Sequence, residues 1–276
     1  MVGSIEEVKR LMLSFDADKV AERIILFIRE MFEESGAQKI VIGVSGGVDS
    51  STTLKLLVDS IGRDKVLALI MPHQDITSRK DLEDAYMVAD HFGVEYYTIE
   101  IADICSLIRH RLSPFMEFDE KTYGNIIART RMITLYAFAN SMNAIVAGAS
   151  DKSERIIGYF TKWGDAAADI FPIMDLYKTQ VRALARHIGV PESIAEKPSS
   201  PGLWKGHLAE EELGISYEKI DAILFAMNEL HMGPEQIKKI EGIEEDEVEL
   251  VLRLITTSEH KRKLYYPQVQ DLIVKR

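Results

Sequence analysis

The hydrophobic positions of this chain switch repeatedly between helical and strand spacing. Apolar residues at Val20, Ile24, Phe27, Ile28 and Met31 predict one helix over 5–34, ended by Gly36. A β-branched run at 39–44 predicts a buried strand, followed by a glycine-rich turn and a helix over 48–58 that Gly62 stops. The alternation continues with a strand at 66–71, a helix at 78–92 capped by Ser78 and closed by Gly93, a strand at 94–99 and a helix at 101–111. A long helix at 121–141, an apolar strand at 144–147, a strand ending at 171–174 and a helix at 176–188 complete the series. Strands alternating with helices imply an α/β fold: a mostly parallel sheet covered on both faces, three layers deep. Such sheets bind ligands beyond the carboxyl ends of their strands, where strand order reverses.

Past Pro198 the texture changes. Residues 197–214 are rich in Pro, Ser, Gly and charge and predict a long loop, a length typical of functional lids. Helical patterns return at 217–230 and 246–257. We therefore expect one domain over 1–276: a core at about 20–200, a lid at about 197–214 and extra C-terminal helices at about 216–265.

Charge and cysteine content narrow the function classes. A net charge of -11 argues against a general nucleic-acid binder, which would carry a basic face. The lone cysteine, Cys105, lies in an apolar helical pattern and reads as core, and low cysteine use fits a reducing compartment. No apolar run approaches the roughly 18–20 residues that span a bilayer, and no signal-peptide pattern is present. The expectation is a cytoplasmic protein that binds neither nucleic acid nor membrane.

The most informative string is Ser45-Gly46-Gly47-Val48-Asp49-Ser50-Ser51, set between the first strand and a helix. Its glycines permit a tight turn that exposes backbone N–H groups, and the helix behind supplies the positive end of its dipole. Together they make a pyrophosphate cradle, with Ser45, Ser50 and Ser51 as candidate hydroxyl donors. The string lacks the lysine of a Walker A loop, and Asp49 stands near where it would be. A carboxylate beside phosphates calls for an intervening cation, and Mg²⁺ suits carboxylate and phosphate oxygens. The string resembles the loop of the ATP pyrophosphatase group of the Rossmann-like, adenine-nucleotide α-hydrolase-like fold. Those enzymes cleave ATP between the α and β phosphates.

Three further stretches resemble the ammonia-dependent NAD synthetase family. The first is Tyr123-Gly124-Asn125 leading to Ala128-Arg129-Thr130-Arg131-Met132. The second is Lys152-Ser153-Glu154, then Gly158-Tyr159-Phe160-Thr161-Lys162-Trp163-Gly164-Asp165 and Asp169. The third is Lys197-Pro198-Ser199-Ser200, then Gly202-Leu203-Trp204 and the segment from Glu212 to Tyr217, with Glu259-His260-Lys261-Arg262 near the end. The resemblance covers about residues 20 to 265. It implies a ligase, EC 6.3.1.5, in which the carboxylate of deamido-NAD attacks the α-phosphate of ATP. Ammonia then converts the acyl-adenylate to NAD, with AMP and pyrophosphate as the other products.

The resemblance also assigns residues. It implies Mg²⁺ on Asp49 and Glu154, catalysis by Asp49 and Lys178, and deamido-NAD on Arg129, Lys162, Asp169, His260 and Lys261. ATP would meet Gly43, Val44, the string from Ser45 to Ser51, Arg79, Ala149, Lys178 and Ser200, with Gln74 nearby. Physical readings stand beside these roles. Lys178 could neutralise charge on a transferring phosphoryl group, and Arg129 offers a planar fork suited to phosphate or carboxylate. Two positions depart from the family. Ala149 stands where relatives carry threonine, with Ser150 adjacent, and Gly206-His207-Leu208-Ala209-Glu210 replaces Gly-Gln-Thr-Asp-Glu in the lid.

Glutamine-using relatives need an added amidase domain with a cysteine nucleophile. This chain has no room for one, which points to ammonia as the donor. The resemblance implies a homodimer, and the long helix, apolar on more than one side, is consistent with an interface. Two alternatives stay open: another ATP pyrophosphatase-type ligase, and a nucleotide-binding regulatory protein without turnover. ATP-dependent pyrophosphate release separates an enzyme from the regulatory reading.

Overall fold

The computed structural model describes residues 2–267 and 269; the last part of the expected 1–276 domain lies outside the described residues. Four parallel strands form one sheet: β1 (Lys39–Gly43), β2 (Val66–Ile70), β3 (Glu95–Thr98) and β4 (Ala144–Ala147), in the order β3-β2-β1-β4. The α/β class expected from the alternating pattern is the class observed.

Side chains of successive strand residues leave the sheet on opposite faces. On one face Ile40, Ile42, Val66, Ala68 and Ile70 pack with Ile28 of α2 (Ala17–Ser35), Leu54 and Leu57 of α3 (Val48–Ile61), Val88 of α4 (Arg79–Phe92) and Leu184 of α8 (Lys178–His187). On the other, Val41, Leu67, Leu69 and Val146 pack with Cys105 of α5 (Ala102–Leu112) and Ile127 of α6 (Glu120–Met142). These are the three layers, and Cys105 is buried within them. Truncating one such leucine to alanine costs about 2–5 kcal/mol.

A second apolar core lies off the sheet. It joins α1 (Ile5–Met12) and α7 (Lys152–Ile157) to the C-terminal helices α10 (Ala209–Leu213), α11 (Tyr217–Asn228), α12 (Pro234–Ile237) and α13 (Glu245–Thr257). The short helices α9 (Glu192–Ala195) and α14 (Glu259–Arg262) complete the elements. No helix among the described residues is long and apolar enough to cross a membrane.

Three local expectations fail. The single helix at 5–34 is two helices, because Asp16 leaves the helical conformation and its carboxylate caps Lys19 N of α2. The expected strand at 171–174 is a series of turns; only Ile170 bridges to Ala147. The lid is not all loop, since α10 forms inside it.

Candidate active site

Strand order reverses between β1 and β4, and the loops that leave the two strands open into one cavity of about 1280 Å³. The β1–α3 loop forms its floor. Gly46 has φ +74°, and a Cβ there would lie 2.7 Å from Ala85 N and 2.8 Å from Asp84 Cβ, so only glycine fits against α4. Lys197, at the stem of the lid, fastens the turn: its Nζ donates to Gly46 O and pairs with Asp81 (2.7 Å) and Asp84 (2.6 Å). Gly47 is the N-cap of α3 and offers no side-chain cap, so the first-turn N–H groups of α3 are left for an anion.

The serines of the loop hold its shape. Ser51 is fully buried and donates to Gly47 O at 2.7 Å; Ser50 Oγ lies 3.1 Å from Ser45 Oγ and also donates to Gly47 O. The hydroxyl of Ser51, a candidate phosphate donor by sequence, is thus committed to the backbone. Gly43, Val44, Ser45, Gly47, Val48, Asp49 and Ser50 line the cavity, whereas Gly46 and Ser51 stand behind it.

Beside the loop lies a buried charge cluster. Lys178 is fully buried; its Nζ donates to Asp49 Oδ2 (2.7 Å) and Glu154 Oε1 (2.9 Å) and lies 2.8 Å from Asp151 Oδ2. The Asp151 contact is an ion pair without a hydrogen bond, which leaves Asp151 Oδ2, like Asp49 Oδ1, with no donor. Burial pushes the Glu154 and Asp151 carboxyls up, against the pull of Lys178. Burial alone would lower the Lys178 ammonium, but three carboxylates hold it well above its ordinary value. One ammonium facing three carboxylates leaves excess negative charge in a poorly hydrated place, which a hard cation would relieve. Oxygens of Asp49, Asp151 and Glu154 come within 4.8 Å of one another, so these residues fit a divalent ion.

Asp151 was missed from sequence. It is the N-cap of α7 and accepts from Glu154 N, so an Asp three residues before Glu154 reads as an ordinary cap. Only its proximity to Asp49, a tertiary fact, marks it as more.

The far end of the cavity carries cations without carboxylate partners among the described residues. Arg129 Nη2 donates to Lys162 O (3.1 Å), Lys162 Nζ to His260 O (2.8 Å), and Lys261 Nζ to Gly158 O (2.7 Å) and Phe160 O (2.8 Å). Burial pulls the Lys261 ammonium down. Gly158 is required here: a Cβ at its φ of +74° would collide with Ser258, which precedes α14. Trp163, 54% exposed and at φ 62°, stands beside Lys162.

Arg79, Gln74 and Asp169 lie outside the cavity lining, and Lys178 is buried behind it. Arg79 is exposed and paired to Glu83. Asp169 accepts from Val146 N (2.7 Å) and from Tyr136 (3.1 Å), on the outer side of β4. Ala149, Ser150 and Ser200 line the cavity, but the Ser200 hydroxyl donates to His207 O at 2.6 Å.

The lid is held down by the residue that departs from the family pattern. His207 is buried, stacks on Trp204 at 3.3 Å, and places Nε2 2.9 Å from Glu212 Oε2 and 3.1 Å from the Tyr159 hydroxyl. Glu212 also pairs with Lys121 of α6 at 3.0 Å. His207 Nδ1 is buried without a partner, and burial holds the imidazole below its ordinary pKa.

Comparison with known proteins agrees with this geometry. A family model described as NAD synthase matches residues 20–265. The chain is 49% identical over 255 residues to an NH(3)-dependent NAD(+) synthetase of Hyperthermus butylicus, covering 92% of this chain and 91% of that protein. It is 50% identical over 260 residues to that of Pyrococcus horikoshii, covering 94% and 98%. Among solved structures, an NMN synthetase from Francisella tularensis matches with TM-score 0.82 and 31% identity, over 92% of this chain and 99% of that one. An NH3-dependent NAD synthetase from Campylobacter jejuni matches with TM-score 0.77 and 29% identity, over 92% and 100%.

Proposed function

The chain belongs to the NAD synthase family and is an NAD-forming ligase, and from that premise we propose how its residues divide the reaction. The observation that carries the reading is the buried Lys178, ringed by Asp49, Asp151 and Glu154 at the mouth of the β1–α3 loop. The first-turn N–H groups of α3 and the backbone at 45–48 receive the triphosphate of ATP. Asp49, Asp151 and Glu154 would hold Mg²⁺, which would supply charge neutralisation for the departing pyrophosphate. Lys178 sets its ammonium against the charge that builds on the α-phosphate as the carboxylate of deamido-NAD attacks it.

Arg129, Lys162, His260 and Lys261 hold deamido-NAD. Carbonyl partners orient Arg129, Lys162 and Lys261 without neutralising them, so they keep full attraction for its phosphates and carboxylate. The closed lid keeps water from the acyl-adenylate until ammonia attacks it. Ser150, which lines the cavity beside Ala149, is the hydroxyl nearest in sequence to the missing threonine.

We further propose that one synthetase domain acts in the cytoplasm as a homodimer. Arg129, Ile133, Ala137 and Asn140 form an exposed stripe on α6, and Ile133 is 60% exposed. One turn on, Tyr136 meets Asp169, so a second subunit docked on this stripe would bring Asp169 toward bound dinucleotide.

The test is product formation from ATP, Mg²⁺, ammonium and deamido-NAD. The expected result is equimolar NAD, AMP and pyrophosphate; pyrophosphate release only with another acceptor would replace the reading. The likeness to an NMN synthetase favours one second reading, amidation of the acid mononucleotide. Running both acids in competition decides between them through their kcat/KM ratio.

A further inference from the structure

Behind the charge cluster, and outside the cavity lining, sits a fully buried carboxylate that no step above uses, Asp221 of α11. Its Oδ1 accepts from the Ser153 hydroxyl at 2.5 Å, and its Oδ2 accepts from Thr179 N at 2.7 Å and the Thr179 hydroxyl at 2.6 Å. The Ser153 oxygen in turn accepts from Lys178 N at 3.0 Å.

These contacts converge on the start of α8. Lys178 and Thr179 are its first two residues, whose N–H groups have no partner within the helix. The N-cap position is held by Tyr177, a residue type without a short capping oxygen. A cation at the first turn also opposes the helix dipole. Asp221 answers both demands from another element: it caps Thr179 N directly, caps Lys178 N through Ser153, and sets a carboxylate at the positive end of α8. Ser153 lies between Asp151 and Glu154 on α7, so the same carboxylate fixes α7 and α8 together.

We propose that Asp221 is a positioning residue for the ligase reaction, acting through Ser153 to hold Lys178, Asp151 and Glu154 in register. The link ties the second apolar core, which contains α11, to the catalytic edge of the sheet. Burial pushes the Asp221 carboxyl up to about 7 against three hydrogen bonds that favour its anion, so the group is held where charge is unwelcome. An aspartate kept at that cost, with every contact on the first turns of α7 and α8, is spent on orientation rather than core stability.

The inference rests on the roles proposed above for Lys178 and the carboxylates, and its test separates the two. Asp221→Asn and Ser153→Ala are compared with Lys219→Met, which breaks a surface ion pair of the same helix with Glu247. The amide of D221N would donate to Ser153, which already accepts from Lys178 N, and would leave the serine proton without an acceptor. The expected result is a fall in kcat of about tenfold or more in each of D221N and S153A, with KM for ATP and deamido-NAD within about twofold. Combining the two should cost little more than one, since both cut one chain of contacts. K219M should keep wild-type kcat.

A crystal structure of D221N gives the readout that needs no turnover. We expect Lys178 Nζ to leave hydrogen-bond distance of at least one of Asp49, Asp151 and Glu154. An unmoved cluster with unchanged kcat, or losses that simply add, overturns the positioning role even if NAD is formed. A wild-type chain that forms no NAD overturns the catalytic reading, while the displaced or unmoved Lys178 still decides the positioning one. If D221N does not fold, S153A, which removes one hydroxyl, carries both measurements.

Discussion

The two ends of the cavity are built on opposite electrostatic plans. At the end near β1, one buried ammonium faces three carboxylates, and two carboxylate oxygens have no donor. At the other, Arg129, Lys162 and Lys261 donate to backbone carbonyls and have no carboxylate partner among the described residues. The first end is short of positive charge and the second of negative charge. The difference teaches that one cavity can sort two polyanionic substrates. On the proposed reading, the end with surplus carboxylates would admit a triphosphate only in company with a cation, whereas the end with unneutralised cations would attract a dinucleotide directly. Burial sharpens the contrast, because Lys178 is sealed in protein while Arg129 and Trp163 stand exposed.

The largest expected effect comes from removing the charge all three carboxylates share. Lys178→Met should lower kcat by about 100- to 1,000-fold, as loss of a transition-state charge partner does, with ATP binding followed by calorimetry retained. At the opposite end Lys162→Met should raise KM for deamido-NAD by about 10- to 100-fold, corresponding to about 1.5–3 kcal/mol for a charged hydrogen bond. Its KM for ATP should stay put; a parallel rise in both would dissolve the distinction between the ends. Ile133→Glu places charge on the exposed stripe of α6 and should shift the chain to monomer in sedimentation, raising KM for deamido-NAD before that for ATP.

The smallest effect concerns the lid that spans both ends. His207 is held below its ordinary pKa, so the closed lid carries neutral imidazole at pH 7. The open or unfolded chain takes up a proton near the ordinary value of about 6.5, which the buried ring resists. Stability of the closed lid is therefore full above that pH and is lost as pH falls from it toward the lowered value. His207→Phe keeps the stacking on Trp204 but removes the proton site. Protease protection of residues 197–208 should fall with pH in the wild type and stay level in H207F.

Much of this was legible beforehand because it is local. The alternation of strand and helix spacing carried the fold class, the Ser45 to Ser51 loop lies at the cavity between strand and helix as read, and Ser78 and Gly93 bounded α4 as caps should. What sequence could not show was tertiary. Asp151 passes for a helix cap until the fold brings it to Asp49. Ser51 passes for a phosphate ligand until its hydroxyl is seen to close on Gly47. The break at Asp16 is hidden because apolar spacing runs through it, and the exposure of Arg79, paired to Glu83 along the surface of α4, is seen only in the fold. The lid departs from the family string at His207, and only the fold shows that this imidazole meets Tyr159 and Glu212.

Asp151→Asn tests the account most directly. Asparagine caps α7 as well as aspartate does, so the substitution removes a charge and little else. The measurement is the Mg²⁺ concentration that gives half-maximal NAD formation, with KM for deamido-NAD recorded alongside. The account predicts about a tenfold or greater rise in the Mg²⁺ requirement, on the order of the 1.4 kcal/mol or more expected for losing one charged ligand, and no change in KM for deamido-NAD. An unchanged Mg²⁺ requirement would contradict it, because the surplus of carboxylates at this end would then serve no cation.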